Sequence, residues 1–138
     1  MFEIVNHATQ RYKIVLNKYT MHYLLFNTRD EFTKVDLNNV VYFEADGNYT
    51  HIVFTNSYKV TITIGLSKIE QLLETQLRER AQQFIRIGKS YIINRIFILQ
   101  INPLRQKLIL SDMIHETVFA LSISKEALKT LKDLIVKQ

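Results

Sequence analysis

The stretch from residue 84 to residue 101 constrains the fold of this chain more than any other segment. Its sequence, FIRIGKSYIINRIFILQI, is rich in isoleucine, a β-branched residue that favours extended backbone and packs well on a pleated surface. Gly88-Lys89-Ser90 interrupts the run with a residue that tolerates positive φ, an ammonium group and a hydroxyl. The pattern predicts two buried strands and a connection that presents a cation on a rigid frame. The residues alone leave open an ordinary loop between two core strands.

Strand-forming runs recur along most of the chain. From Tyr23 onward, short apolar runs and alternating segments are separated by turn signals such as Asp46-Gly47. Two segments, residues 67–77 and residues 124–135, instead place apolar residues at helical spacing. We therefore expect a mainly β fold with about ten short strands in an elongated antiparallel arrangement and one or two short α-helices.

Both helices are expected to begin at a serine. Ser67 and Glu70 have the spacing of a capping box, in which two side chains satisfy backbone amides at the start of the helix. The apolar side of this helix, which includes Leu72, is expected to cover a sheet face. Ser122 or Ser124 is the expected cap of the second helix.

The composition limits the class of protein. A chain of 138 residues is long enough for one domain with its own core, and the lack of cysteine excludes disulfides, thiol catalysis and cysteine-ligated metal. Uninterrupted apolar runs are only a few residues long, far below the ~20 that a membrane-spanning helix needs. The N-terminus also lacks the apolar core of a signal peptide. We expect a soluble cytoplasmic protein without a membrane partner.

The chain divides into two unequal parts. Residues 23–138 carry the strand and helix signals of one domain. Residues 1–22 precede it and contain a strand signal at residues 12–16. They are expected to form an arm or an extra edge strand, or to be the end of a linker from another domain.

The positive charge is concentrated in the second part of the sequence. Residues 1–83 contain nine lysines and arginines and nine acidic residues, which cancel. Residues 84–138 contain nine basic residues and four acidic ones, so the net charge of +5 arises there. This asymmetry indicates a polyanionic partner, although surface lysines kept for solubility give the same count.

No residue pattern indicates catalysis or a bound metal. The four histidines are scattered without a pair at metal-ligand spacing, and three glycines are too few for a phosphate-cradling loop. Glu44 and Asp46 form a carboxylate pair, but they flank a hairpin tip and are expected to accept hydrogen bonds from turn amides. We therefore expect a protein that is not an enzyme and has no cofactor.

Three connections carry side chains that suit a nucleic acid. Amide, hydroxyl, imidazole and ammonium groups can reach base edges or phosphates, and free amides at the start of a helix favour phosphate. Tyr49, within the first connection, is expected to pack in the core instead. The candidates are Asn48, Thr50 and His51 in the first connection, Lys89 and Ser90 in the second, and Ser124, Lys125 and Lys129 at the start of the last helix.

Two motifs of this chain resemble those of LytTR-type DNA-binding domains. The run FIRIGKSYIIN, residues 84–94, is similar to the family signature F-x-R-x-H-[RK]-S-[YF]-[IL]-[VI]-N. The run VVYFEADGNY, residues 40–49, is similar to the family opening I-x-Y-[IF]-E-A-x-G-[NS]-Y. One short predicted helix separates the two motifs, which also fits the family, and the resemblance covers residues 24–135.

The resemblance implies a shared purpose for the three connections. LytTR domains serve bacterial transcription regulators, and loops from their mostly β scaffold enter successive major grooves of double-stranded DNA. Arg86 and Asn94 match the signature and are expected to brace the backbone of the second connection. Gly88 stands where the family usually has histidine, and an arginine is common near Ser124, so the resemblance implies that a contact at Gly88 is lost or altered and that base-specific contact at Ser124 is not expected to follow the family.

The resemblance also implies partners. These are double-stranded DNA with paired repeat sites, a second copy of the domain on that DNA, and an upstream receiver domain or kinase of the kind found in response regulators. The alternative is a β-rich protein-interaction or RNA-binding module that has kept the scaffold and lost base-specific readout. Gly88 and Ser124 are the residues that favour this alternative.

Overall fold

The computed structural model describes residues 2–4, 12–17 and 22–137. Over these residues the chain forms three antiparallel sheets and two α-helices, which confirms the predicted mainly β fold. The strand signal at residues 12–16 corresponds to a strand of the first sheet. Within the same part of the chain, no helix has the length and apolar character needed to cross a membrane.

The three sheets follow one another along the chain. The first sheet contains β1 (Phe2–Ile4), β2 (Tyr12–Asn17), β3 (His22–Asn27) and β4 (Phe32–Asp36), in that spatial order. The second contains β5 (Val40–Asp46), β6 (Tyr49–Phe54), β7 (Lys59–Ile62), β8 (Phe84–Ile87) and β9 (Tyr91–Asn94). Its spatial order is β7-β6-β5-β9-β8. The third contains β10 (Ile98–Asn102), β11 (Lys107–Leu110) and β12 (Phe119–Ser122), again in chain order.

Two α-helices and three 3-10 turns complete the described part of the chain. Helix α1 (Leu66–Leu77) follows β7, and helix α2 (Lys125–Val136) follows β12. The 3-10 turns are Leu37–Asn39, Arg78–Gln83 and Arg95–Phe97.

The five-stranded sheet is buried on both faces. One apolar core lies between this sheet, the first sheet and α1; its members include Leu24, Val35, Phe43, Ile69, Leu72 and Ile92. A second core lies between the five-stranded sheet, the third sheet and α2; its members include Val41, Ile87, Ile93, Leu108, Leu121 and Leu128. Neighbouring residues such as Ile92 and Ile93 therefore enter different cores, because side chains alternate along a strand. The isoleucine-rich sequence reflects this burial on two sides.

A β-bulge explains an irregularity in this alternation. The register between β5 and β6 shifts between Val40 and Tyr42, so Val41 is the extra residue. Val41 and Tyr42 accordingly both pack in the second core, whereas Val40 packs in the first.

Helix α1 begins earlier than the capping-box pattern predicts. Its N-cap is Gly65, no side chain caps it, and Ser67 is already an exposed residue of the first turn. The carboxylate of Glu70 accepts a hydrogen bond from Arg86 (3.0 Å) instead of one from the helix start. The prediction failed because the apolar face begins at Leu66, which is buried and draws the helix back by two residues.

The turn after β11 is closed by one carboxylate. Asp112 Oδ1 accepts hydrogen bonds from the amides of Ile114 (3.0 Å) and His115 (2.9 Å), and Oδ2 lies 2.6 Å from His115 Nδ1. The His115 side chain and these amides lower the pKa of Asp112 from 3.8 to about 2, because they stabilise the charged carboxylate. The turn thus keeps its closing charge to strongly acidic pH.

Alanine at Leu72 or Leu73 should measure the contribution of α1 to the first core. Both side chains are almost fully buried, so each substitution should lower the free energy of unfolding by about 2–5 kcal/mol. Ser67→Ala, on the exposed side of the same helix, should change it by less than about 0.5 kcal/mol. Urea unfolding followed by circular dichroism measures all three variants. Unchanged midpoints for both leucine variants would show that the helix is not part of the core.

Candidate nucleic-acid interface

The first two predicted connections lie side by side at one end of the five-stranded sheet. Strand β5 pairs with β6 on one edge and with β9 on the other. It ends at Asp46, opposite Tyr49, while its residue Glu44 is paired with Tyr91, the first residue of β9. The amide of Ala45 donates to the carbonyl of Ser90 (2.8 Å), which links the two connections directly.

The β5–β6 connection is a tight turn that exposes an amide and a phenol. Gly47 takes a φ of +60°, so the left-handed residue of this turn is Gly47 and not Asn48. Asn48 is exposed. Tyr49 is 50% exposed, so the expectation that it packs in the core is wrong. Tyr49 is the first residue of β6, and the next residue, Thr50, is the one that faces inward.

Thr50 does not fit its predicted role in DNA contact. Its side chain is completely buried, and its hydroxyl donates a hydrogen bond to the carbonyl of Ile64 (2.8 Å). The alternation of β6 turns this residue toward the first core, and the hydroxyl satisfies the backbone just before α1.

His51 is positioned by both ring nitrogens. Its Nε2 lies 2.8 Å from Asp46 Oδ2, and its Nδ1 lies 2.7 Å from Thr61 Oγ1. Asp46 therefore binds a side chain rather than turn amides, contrary to expectation. The arrangement ties the tip of the β5–β6 hairpin to β7 and leaves the imidazole partly exposed.

The β8–β9 connection exposes Lys89, the cation that the sequence predicts to be exposed. Residues 88–90 are all exposed, and Gly88 takes a φ of +58° with open space where a Cβ would lie. The guanidinium of Arg86 donates from Nε to the carbonyl of Gly88 (3.0 Å) and from Nη2 to the carbonyl of Lys89 (3.2 Å). The backbone of this connection is thus held from below, while the side chains of Lys89 and Ser90 point away from the core.

Two tyrosines and a glutamate lie beneath this connection. The Tyr91 hydroxyl donates to Glu44 Oε2 (3.3 Å), and the rings of Tyr91 and Tyr42 make an edge contact with centroids 5.9 Å apart. Burial, and then the charge of Glu44, raise the pKa of both tyrosines above the usual 10.0. Both phenols therefore remain neutral donors at physiological pH. Glu44, like Asp46, binds a side chain rather than turn amides.

Asn94 braces a different part of the sheet from the one expected. It is completely buried, and its Nδ2 donates to the carbonyl of Val40 (2.8 Å) while its Oδ1 accepts from the amide of Ile96 (3.3 Å). These contacts lie at the end of β9 that is remote from residues 88–90. Asn94 fixes the beginning of β5 and the following 3-10 turn, whereas Arg86 contacts the connection itself.

The third predicted group lies at the beginning of α2. Ser124 is the N-cap and accepts from the amide of Ala127 (3.3 Å), as predicted for one of the two candidate serines. Lys125 and Lys129 are exposed one turn apart on this helix. Nearby, Lys107 Nζ donates to Ser122 Oγ (2.8 Å), which adds a further cation to the same region.

The second core connects this group to the other two. That core contains Leu128 of α2 together with Ile87, the residue directly before the β8–β9 connection. The structure therefore brings Asn48, His51, Lys89 and Ser90 together at one end of the sheet and places Ser124, Lys125 and Lys129 on a neighbouring element.

The described residues offer no site for a metal. They contain no group of three or more histidine, cysteine, aspartate or glutamate side chains that could hold one. A groove of about 500 Å³ lined in part by Asp36, Tyr58 and His115 opens at the β6–β7 turn, at the far end of the five-stranded sheet from the candidate connections. The chemistry of the candidate interface is therefore that of hydrogen-bond donors and cations on exposed turns.

The described residues form an antiparallel β scaffold buried on two faces, with polar and cationic turns at one end of its five-stranded sheet. The comparisons with known proteins identify its family: the family model described as "LytTr DNA-binding domain" matches residues 30–136. The chain belongs to this family, which is defined by DNA binding and not by catalysis.

A solved structure agrees with the family match at the level of the fold. It is the LytTr DNA-binding domain of a protein described as a methyl-accepting/DNA response regulator from Bacillus cereus. The two chains are 23% identical with a TM-score of 0.58, and the alignment covers 82% of this chain and 95% of the other. No curated protein matches the chain.

Two residues near the candidate turns, Glu70 and Tyr49, are not among the candidates that the sequence indicates. Glu70 was assigned to a helix cap, and its contact with Arg86 joins residues too far apart in sequence for a local pattern to indicate. Tyr49 was expected in the core. Successive side chains of a strand face opposite sides, so a strand with Thr50 inside places Tyr49 outside.

Thr50→Val should separate the scaffold from the binding surface. The substitution keeps the shape of the side chain but removes the donor to Ile64, so the free energy of unfolding should fall by about 1–3 kcal/mol. The affinity of the folded protein for duplex DNA should not change, because the residue is buried. Chemical unfolding and fluorescence anisotropy with labelled duplex measure the two quantities. A large loss of affinity without a loss of stability would indicate that Thr50 contributes to DNA contact after all.

Proposed function

We propose that this domain binds double-stranded DNA sequence-specifically as part of a bacterial transcription regulator, with the turns of its β scaffold in the major groove. The observation that carries the proposal is the adjacency of the β5–β6 and β8–β9 connections. Asn48 and Lys89, an amide and a cation, are exposed on neighbouring turns of one rigid sheet.

The chemistry of these side chains matches that of base edges. An asparagine amide can donate and accept at once, as adenine requires, and a lysine ammonium can donate to the acceptors of guanine. Ser90 adds a hydroxyl suited to a phosphate oxygen. Turns of this size fit the major groove, where each base pair presents a distinct pattern of donors and acceptors.

The phosphate contacts are assigned to the beginning of α2 and its surroundings. Lys125 and Lys129 are exposed there, and the first amides of the helix carry partial positive charge. Lys107 lies beside the same helix entrance through its contact with Ser122. These groups bind any sequence, so they fix the position of the domain and leave discrimination to the turns.

The proposed regulator acts on paired sites. A domain of this size that presents two turns contacts a short stretch of duplex, so a second copy on a repeated site would extend the recognised sequence. An upstream receiver domain or kinase would supply the input signal, in keeping with the response-regulator description of the solved relative.

Salt should weaken binding in proportion to the number of phosphate contacts. With several of Lys89, Lys107, Lys125 and Lys129 on the DNA, a log-log plot of affinity against salt should have a slope of roughly −3 to −6 per domain. Anisotropy titrations of a random duplex between low and moderate salt measure this slope. Binding that does not change with salt would contradict the DNA proposal and support the protein-interaction alternative.

Lys89 and Lys129 should differ in their effect on specificity. A cognate site is first selected from a random duplex library with the wild-type protein. Lys89→Ala should then weaken binding to the selected site more than binding to random duplex, by about 1–3 kcal/mol. Lys129→Ala is the matched control and should weaken both equally.

The comparison is made at one fixed salt concentration, because the electrostatic contribution otherwise obscures the difference. Equal losses on both duplexes for Lys89→Ala would assign that residue to a phosphate. Specificity would then reside in Asn48 and His51 or in the shape of the DNA.

A further inference from the structure

All three side-chain nitrogens of Arg86 donate hydrogen bonds, two to the β8–β9 connection and one to Glu70 on α1. Its Nε and Nη2 donate to the carbonyls of Gly88 and Lys89, and its Nη1 donates to Glu70 Oε1 (3.0 Å). The guanidinium is planar and its donors form a fixed fork, so a partner at one end determines the direction of the other two.

The β8–β9 connection has its carbonyls turned inward as a result. The carbonyls of Gly88 and Lys89 accept from Arg86, and that of Ser90 accepts from the amide of Ala45 (2.8 Å). Carbonyl oxygens repel phosphate and compete with it for donors. Three consecutive carbonyls held on the protein side leave the outer side of the turn to the Lys89 and Ser90 side chains.

Glu70 is the residue that orients this fork. It lies on α1, whose apolar face is packed into the first core, so its carboxylate is presented by a rigid element. The Glu70 side chain is 35% exposed and that of Arg86 is 22% exposed, so the pair is only partly screened by water. Without the carboxylate, the guanidinium would carry an unbalanced charge near the surface and could rotate toward solvent or toward DNA.

We propose that Glu70 is a positioning residue for DNA recognition, acting through Arg86 to hold the connection that carries Lys89. This rests on the proposed function. Glu70 would thus take part in base discrimination without contacting the DNA itself.

The sign of the effect distinguishes positioning from simple electrostatics. A carboxylate near a polyanion repels it, so removing one raises the affinity for every duplex. If Glu70 only contributed charge, Glu70→Ala would strengthen binding to selected and random DNA alike. If Glu70 positions the connection, the same substitution lowers the preference for the selected site, whatever happens to the background affinity.

The experiment compares three variants with the wild-type protein on selected and random duplex at fixed salt. Glu70→Ala should lower the ratio of the two affinities about five- to tenfold, the low end of what one base contact contributes. Glu74→Ala is the matched control, since Glu74 is an exposed acid one turn further along α1, and it should leave the ratio unchanged. Glu70→Gln retains an acceptor oxygen without the charge and should keep most of the ratio.

Two further measurements exclude a merely structural effect. In Glu70→Ala, the NMR signal of the Arg86 Nε–H should move and exchange faster with water, while the unfolding midpoint stays close to that of Glu74→Ala. Lys89→Ala should also cost less discrimination in the Glu70→Ala background than in the wild-type protein, because the two residues then act on one connection that is already displaced.

The outcomes separate the two proposals. Wild-type protein that binds duplex without salt dependence overturns the proposed function and, with it, this inference. Wild-type binding that is salt-dependent and selective, together with an unchanged ratio in Glu70→Ala or an equal rise on both duplexes, overturns the inference and leaves the proposed function in place. A lowered ratio in Glu70→Ala with an unchanged ratio in Glu74→Ala supports both.

Discussion

Burial of the five-stranded sheet on both faces is the constraint on which the rest of this domain depends. Each strand of its centre must place apolar side chains above and below, because one face packs on the first sheet and α1 and the other on the third sheet and α2. Removing this apolar surface from water supplies most of the stabilisation that such a fold has. Little of either face therefore remains for polar chemistry, and the exposed residues of the two candidate turns lie at the ends of the strands. The proposed binding through turns is consistent with the way the domain is stabilised.

The strand order then determines which turns lie next to each other. Because β5 lies between β6 and β9, the connection at residues 47–48 and the connection at residues 88–90 become neighbours although α1 and three strands separate them in sequence. Backbone hydrogen bonding in a sheet is specific in register, so the two turns are held at a defined separation. Arg86 donates hydrogen bonds to the β8–β9 connection and to Glu70, so these contacts join the sheet, the connection and helix α1. The outcome is a rigid presentation of flexible side chains.

Several local features of the fold could be predicted from the sequence, although the cap of α1 could not, and the long-range features could not. The strands around Gly88, the exposure of Lys89 and the cap at Ser124 are local and were predicted. The residues of β6 that face the core were not predicted correctly, because a shift by one residue exchanges the inside and outside positions of Tyr49 and Thr50. Glu70 and Asn94 were misassigned because their partners lie 16 and 54 residues away, beyond the reach of any spacing rule. Membership of the family was recognisable because the two motifs consist of consecutive residues.

The open position at Gly88 bears on how such a domain can change its target. Apart from the adjoining residues, no heavy atom lies within 4 Å of the place where a Cβ would project, and the carbonyl of Gly88 is held by Arg86. A side chain added there would face the DNA groove of the proposed complex without disturbing either core, at a backbone cost of about 1 kcal/mol for the left-handed conformation. Asparagine and histidine tolerate that conformation better than most residues. If the proposed function holds, one substitution at this position would change the recognised sequence while the two cores that form the scaffold stay the same.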